Sequence, residues 1–230
     1  MTEHVLDRPV WHSLTTRHAA LARAHGSALA YDPAVSPFAG TAVDGDAAWA
    51  DLRALLGPKR SAVLPGSPLP VPDDVRVLGR YEVLQLWAPT WHPEPDPEAL
   101  ELGPADAAEM LDLASRTKPG PFERRTGELG RYVGYRVDGR LVAMAGERFQ
   151  PPGYTEVSAV CTDDAFRGRG FAARAMRTIA AGIVARGEVP FLHVAVGNPA
   201  IRLYERLGFV VRREVEVVAV MVPPGVGHAR

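Results

Sequence analysis

The sequence predicts a chain of the α/β class, in the α+β sense that some strands follow one another directly while others are separated by helices. Three observations predict it. The run Glu156 to Ala172 reads as a strand, apolar and β-branched from Val157 to Thr162, then the turn-forming pair Asp163-Asp164, two glycines, and a helical pattern from Phe171 to Arg186. Just upstream, two strand-like runs at 130–137 and 140–148 are joined by Asp138-Gly139, a dipeptide that tolerates positive φ in a two-residue hairpin turn. Just downstream, 190–196 reads as a buried strand and is followed by a short helix and a last strand.

Composition sets the bounds. With 230 residues, 47% of them apolar, the chain can bury one large core or two smaller ones. Lys and Arg total 26 against 27 Asp and Glu, a formal charge of −1, so no global charge recommends nucleic acid or an anionic membrane as a partner. Cys161 is the one cysteine, which excludes an internal disulfide and a cysteine-based zinc cluster and fits a reducing compartment. Met1 to Pro9 contains no apolar run of signal-peptide length, and no run reaches membrane-spanning length, so a cytoplasmic protein is expected.

Taken in order, residues 1–97 form an N-terminal half of mixed α and β character without a catalytic motif. Leu14, Ala19, Leu21 and Ala22 suggest a helix from Ser13 to His25 that Gly26 would end. A second helix is expected from Asp46 to Leu56, where Asp46 can cap, Trp49, Leu52, Leu55 and Leu56 share one stripe, and Gly57-Pro58 stops the run. Short strands are expected at 27–31 and 61–64, then a proline-rich loop from Leu64 to Asp74, then a strand at 81–87. A second proline-rich run, Ala88 to Pro97, is the expected domain boundary, read as a spacer.

From 98 to 230 the elements are clearer. Ala107, Met110, Leu111 and Ala114 define one face of a helix at 106–115; the hairpin follows, and a third strand runs from Tyr154 to Thr162. After the glycine loop, helix and buried strand come Asn198-Pro199, placed as N-cap and first helical residue of a helix that Gly208 ends, and a strand at 209–222 with polar residues between valines. The tail past Pro223 is expected to fray.

Glycines at a strand-to-helix junction let several backbone N–H groups converge on one point, and the helix N-terminus adds a positive dipole end, so the loop is suited to an anion. The motif Arg167-Gly-Arg-Gly170-Phe-Ala172, with Leu203-Tyr-Glu-Arg-Leu-Gly-Phe209 downstream, resembles the GNAT superfamily of N-acetyltransferases over residues 98–222. The resemblance implies a mixed, mostly antiparallel sheet flanked by helices, acetyl-CoA (coenzyme A) as cofactor, and transfer of an acetyl group to a primary amine by direct attack in a ternary complex. A GNAT domain behind an N-terminal half of similar size is also similar to the glycine N-acyltransferase-like branch, whose first half can be a degenerate copy of the fold.

The resemblance assigns roles by position. Arg167, Gly168, Arg169, Gly170, Phe171, Ala172 and Ala173 would hold the pyrophosphate, with Val160, Cys161 and Thr162 pairing with pantetheine along a freed strand edge. Glu156, eleven residues before Arg167, matches the position of a general-base glutamate, acting directly or through water, whose pKa an apolar cleft would raise; the alternative is a structural ion pair on a half-exposed strand. Tyr204 matches the tyrosine that protonates the departing thiolate. Asn198 stands one place nearer to Tyr204 than the family's asparagine, with Gly197 in the matching position, so it is either a cofactor contact or only a helix cap. Cys161 as a nucleophile, His193 as more than a satisfied core histidine, and metal binding at Trp11-His12, Trp91-His92 or Asp163-Asp164 are the weaker expectations; those pairs read as surface and turn residues, and no metal is predicted. The acceptor is expected to be a small-molecule amine or amino-acid-like compound, with a protein amine as an alternative, in a pocket built from 118–131, 150–155 and the N-terminal half. Two rival readings are a non-catalytic acyl-CoA-binding sensor and a dinucleotide-binding oxidoreductase, since Gly168-x-Gly170-x-x-Ala173 also fits a Rossmann loop.

Overall fold

A computed structural model describes residues 3–66 and 70–222. In chain order the elements are α1 (Pro9–Leu14), β1 (Ala22–His25), β2 (Ala28–Tyr31), β3 (Ala39–Thr41), α2 (Asp46–Leu56), β4 (Ser61–Pro65), β5 (Arg76–Trp87), β6 (Leu100–Leu102), α3 (Ala107–Thr117), β7 (Tyr132–Val137), β8 (Arg140–Glu147), β9 (Tyr154–Thr162), α4 (Phe171–Ala185), β10 (Val189–Ala195), α5 (Ile201–Arg206) and β11 (Val210–Met221). Part of the proline-rich loop (67–69) and the tail from 223 lie outside the described residues.

The class is α/β, with mostly antiparallel sheets flanked by helices. A small sheet has the order β1-β2-β3, and a large one the order β4-β11-β5-β10-β9-β8-β7-β6. In the large sheet only β9 and β10 run parallel, as a strand–helix–strand crossover through α4 requires. The turn between β7 and β8 has Asp138 at φ +51° and Gly139 at φ +79°, the two left-handed residues of a tight hairpin.

Alternation along the strands sorts the core into two layers. Val133 and Tyr135 of β7 meet Met176, Ile179 and Ile183 of α4 on one face, while Tyr132 on the other face meets Met110 and Leu113 of α3. Beside α3 the same face is covered by the N-terminal residues, where Leu6, Val10, Leu14 and Phe38 pack with Phe149 and Phe191.

The two halves share the large sheet. β5 lies between β10 and β11, and β4 pairs with β11, so the proline-rich run at 88–97 joins two strands of one sheet. Trp91 in that run packs edge-to-face on Phe209, 5.4 Å between centroids, so it is half-buried against the core instead of the surface residue expected.

The helix expected at 13–25 is not formed. Helix α1 starts at Pro9 and ends at Leu14, because the Ser13, Thr15 and Thr16 hydroxyls bond back to carbonyls of Pro9, Trp11 and His12. Ala22–His25 instead pairs with β2, and Gly26, at φ +53°, turns that hairpin. Among the described residues no helix is long and apolar enough to cross a membrane.

Candidate active site

Strands β9 and β10 pair only at Tyr154, Thr155 and Glu156 against Val189, Pro190 and Phe191. Beyond that they diverge to Thr162 and Ala195 and open a cleft of about 1010 Å³. Within β9, Ser158 and Cys161 stand opposite Gly146 and Met144, so two residues, Ala159 and Val160, face one, Ala145. The extra residue is absorbed at Ala159, held at φ +53°, a conformation that side-chain-bearing residues seldom adopt and that marks a bulge. Residues 158–162 line the cleft.

The glycine loop forms one end of the cleft. Gly168 (φ +79°) and Gly170 (φ +81°) are left-handed, and α4 starts at Phe171. Its first internally bonded amide is that of Arg174, which donates to the Gly170 carbonyl at 3.1 Å. The amides from Gly168 to Ala173 have no acceptor among the described residues, as the first turn of a helix leaves them. Arg167, Gly168, Gly170, Phe171, Ala172 and Ala173 line the cleft; Arg167 also pairs with Asp164 at 2.7 Å. Arg169 does not line it, because its guanidinium lies over the Phe166 ring at 5.0 Å.

Across the cleft, Asn198 and Tyr204 contribute to the wall. The Asn198 side-chain oxygen accepts from the Ala200 amide at 2.8 Å, and α5 begins only at Ile201, so Asn198 closes a turn ahead of the helix and does not cap it directly. Tyr204 packs its ring edge-to-face on Phe209, and burial pushes its hydroxyl up to about 12, so it stays protonated at working pH. Cys161 is buried and its thiol is pushed by burial up to about 11, which keeps it out of the nucleophilic thiolate form.

Glu156 departs from expectation. An apolar cleft was to raise its pKa; the side chain is fully enclosed, and burial alone would do so. It is nevertheless held down at about 2, because Arg148 donates from Nε and Nη2 at 2.7 Å each and His193 Nδ1 stands at 2.7 Å. Both oxygens are engaged, so Glu156 is a fixed anion. Asp163 is also unlike the exposed turn residue expected: it is buried and paired with Arg116 and Arg140.

His193 lines the cleft, and its surroundings fix its tautomer. Arg212 donates to Gln85 Oε1 at 2.6 Å, so Gln85 Nε2 is the amide nitrogen; it donates to the Leu6 carbonyl at 2.8 Å and faces His193 Nε2 at 3.0 Å. The imidazole therefore carries its proton on Nδ1, toward Glu156, and a lone pair on Nε2. It is a satisfied histidine, as expected, and also the sole imidazole or carboxylate among the lining residues. Arg148 was missed in the sequence because its role follows from register: its amide donates to the Glu156 carbonyl at 3.0 Å, which places the two side by side across the hairpin. Of the expected acceptor segments, only 118–121 of 118–131 line the cleft, beside Thr117 and with Phe38, Val63, Pro65, Tyr81 and Val83 of the N-terminal half, whereas 150–155 do not.

Comparison with known proteins agrees with this geometry. A family model described as FR47-like protein matches residues 132–218, from β7 into β11. A crystal structure of a GNAT-family protein from Novosphingobium aromaticivorans DSM 12444 is 43% identical, covers 96% of this chain and 99% of its own, and superposes with a TM-score of 0.89. The chain belongs to the GNAT acetyltransferase family. A GCN5-related N-acetyltransferase from Kribbella flavida (19% identity, 94% and 96% coverage, TM-score 0.61) shares the fold at lower similarity. So does a GCN5-related N-acetyltransferase-like protein from Streptococcus suis 89/1591 (14%, 92% of each chain, 0.56). No curated protein matches the sequence.

Proposed function

We propose that this GNAT protein is an acetyl-CoA-dependent N-acetyltransferase that acetylates a primary amine by direct attack, with both substrates bound at once. One observation carries the reading: the unpartnered amides of 168–173 and the unpaired edge of β9 open into the same cleft as His193 and Tyr204.

The residues fit the cofactor. Amides of Gly168 to Ala173, with the Arg167 side chain, suit a pyrophosphate; Arg169 would contribute its amide alone. Val160, Cys161 and Thr162 would meet the pantetheine amides as a further strand would. Asn198 keeps its side-chain NH₂ for the same ligand. When bound, acetyl-CoA supplies the activated acetyl group and a thiol leaving group.

The proton chemistry divides between two side chains. His193 Nε2 offers the lone pair that takes the proton of the attacking amine, displacing the Gln85 hydrogen from it, and the ionised Glu156 steadies the imidazolium through Nδ1. Tyr204, with its raised pKa, gives its hydroxyl proton to the thiolate. Glu156 thus acts as a positioning residue for His193, and the base is His193. Cys161 has no part, which favours direct attack over a covalent enzyme intermediate.

A second reading, an acyl-CoA-binding module without transfer, draws support from the pairing of Glu156 with Arg148, which removes the family's usual base. Calorimetry with acetyl-CoA and an acceptor panel followed by free-thiol release separate the two. The proposal expects binding and turnover, with His193→Gln lowering kcat about a hundredfold at unchanged acetyl-CoA affinity. Absence of acetyl-CoA binding would refute the enzyme, and binding with no turnover of any amine would leave the module.

A further inference from the structure

We infer that the acceptor is an apolar amino acid or similar amino carboxylate, and that Arg148 receives its carboxylate; this rests on the N-acetyltransferase reading. Arg148 is a preset cation at the wall of the cleft. Glu156 takes its Nε hydrogen and one on Nη2, and its guanidinium lies against the edge-to-face pair Phe38 and Phe149, 4.9 and 4.8 Å from their centroids. Three of its five hydrogens remain, two of them on Nη1. Nη1 has no partner among the described residues, yet it is not one of the sealed polar atoms, and the side chain is 12% exposed. An ordered, half-used guanidinium facing a cleft is a two-point receptor for a carboxylate.

Its place relative to His193 puts the two groups side by side on one wall. His193 Nδ1 and Arg148 Nη2 both lie 2.7 Å from the same atom, Glu156 Oε1, so the two nitrogens are no more than twice that distance apart. A compact molecule that presents its carboxylate to Arg148 can therefore hold its amine on the His193 side of the same wall.

The rest of the acceptor wall is apolar. Register places Val63 and Pro65 of β4 opposite Ala219 and Val217 of β11, and Tyr81 opposite Val217. Val83 faces Ala195, two residues beyond His193 on β10, so the wall and the imidazole share one face of the sheet. The lining residues include Lys118, Arg148 and Arg167 but no Asp or Glu. A polyamine or a basic peptide would bring several positive charges to a cleft with no carboxylate to receive them.

The test compares acceptors on the wild-type protein with acetyl-CoA: phenylalanine, phenylalaninamide, phenethylamine and spermidine. The inference expects kcat/KM for phenylalanine at least tenfold above the amide and the decarboxylated amine, and no turnover of spermidine. Equal or better use of either analogue that lacks the carboxylate, or preference for spermidine, overturns it. A binding arm separates this failure from failure of the transferase reading. With coenzyme A saturating, N-acetylphenylalanine should bind at least tenfold tighter than its amide by calorimetry, whether or not transfer occurs; equal affinities, or no binding of either, overturn the carboxylate site alone. Arg148→Lys, which keeps the charge beside Glu156 but loses the fork, should erase the carboxylate preference in both assays.

Discussion

Glu156 and Arg148 form a two-point ion pair, Nε to Oε2 and Nη2 to Oε1 at 2.7 Å each, in which the acid is wholly enclosed. Removing one partner of such a pair strands a charge in the interior, at a cost of about 3–5 kcal/mol, whereas removing both can be close to neutral. Glu156→Leu and Arg148→Met should each lower urea-unfolding stability by about that much, and the double variant by far less than their sum. Additive losses would show that the two side chains do not depend on each other.

Acid should loosen the fold in two steps. His18 is buried, its Nε2 bonded to the Leu129 carbonyl and its Nδ1 to the Tyr31 hydroxyl, and burial lowers it from 6.5 to about 4. The folded protein thus prefers neutral His18, and this stability is complete above pH 6.5 and is lost as pH falls from 6.5 toward 4. Glu156 follows: its folded pKa of about 2 lies below the ordinary 4.5, so its contribution holds above 4.5 and is lost between 4.5 and 2. Unfolding free energy measured against pH should fall by on the order of 3 kcal/mol through the first window, and His18→Gln should flatten that segment alone.

Such couplings explain which parts of the molecule were legible in the sequence. Helix α2, strand β9 and the Asp138-Gly139 hairpin are written in contiguous residues, and all three stand at or within two residues of their expected bounds. The glycine loop is equally local, since two left-handed residues before a helix need glycine. β3 and β6, three residues each, exist only because neighbouring strands pair with them, and neither has a periodicity of its own. The sharing of one sheet by both halves depends on β5 entering between β10 and β11, which no local pattern encodes. The role of Glu156 was hidden for the same reason, because its position matched a base while its partners arrive from elsewhere in the chain, Arg148 from just past the end of β8 and His193 from β10.

Cys161 offers a test of the chemical route. It is 7% exposed and its thiol is raised by burial to about 11, so almost none is ionised at neutral pH. Cys161→Ala should keep kcat within a few-fold of wild type and cost about 1 kcal/mol of stability. Loss of turnover with retained acetyl-CoA binding would argue for a covalent intermediate.

Tyr204 separates proton donation from packing. Its ring fills space against Phe209 and the main core, and a phenylalanine would keep that contact. Tyr204→Phe should leave the unfolding midpoint and acetyl-CoA affinity nearly unchanged while kcat falls about a hundredfold. A thioester whose leaving thiol is already acidic should recover most of the loss. Failure to recover it would place the effect of the hydroxyl elsewhere than on the leaving group.

The glycine loop can be tested without adding any clash. A Cβ at Gly168 or Gly170 would meet no atom within 4 Å, so the only penalty for alanine is the left-handed backbone, at φ +79° and +81°. That penalty is roughly 1–2 kcal/mol per residue, and the variant chain relieves it by rotating the peptide units that present the free amides of 168–173. Gly170→Ala should therefore weaken acetyl-CoA about tenfold in calorimetry, the equivalent of roughly 1.4 kcal/mol, with little change in the melting temperature of the ligand-free protein. Gly139→Ala is the control, because it carries the same left-handed penalty, at φ +79°, in a hairpin turn away from the cleft. It should lower stability and leave acetyl-CoA affinity intact, and a loss of affinity in both variants would mean that the loop amides are not what holds the ligand.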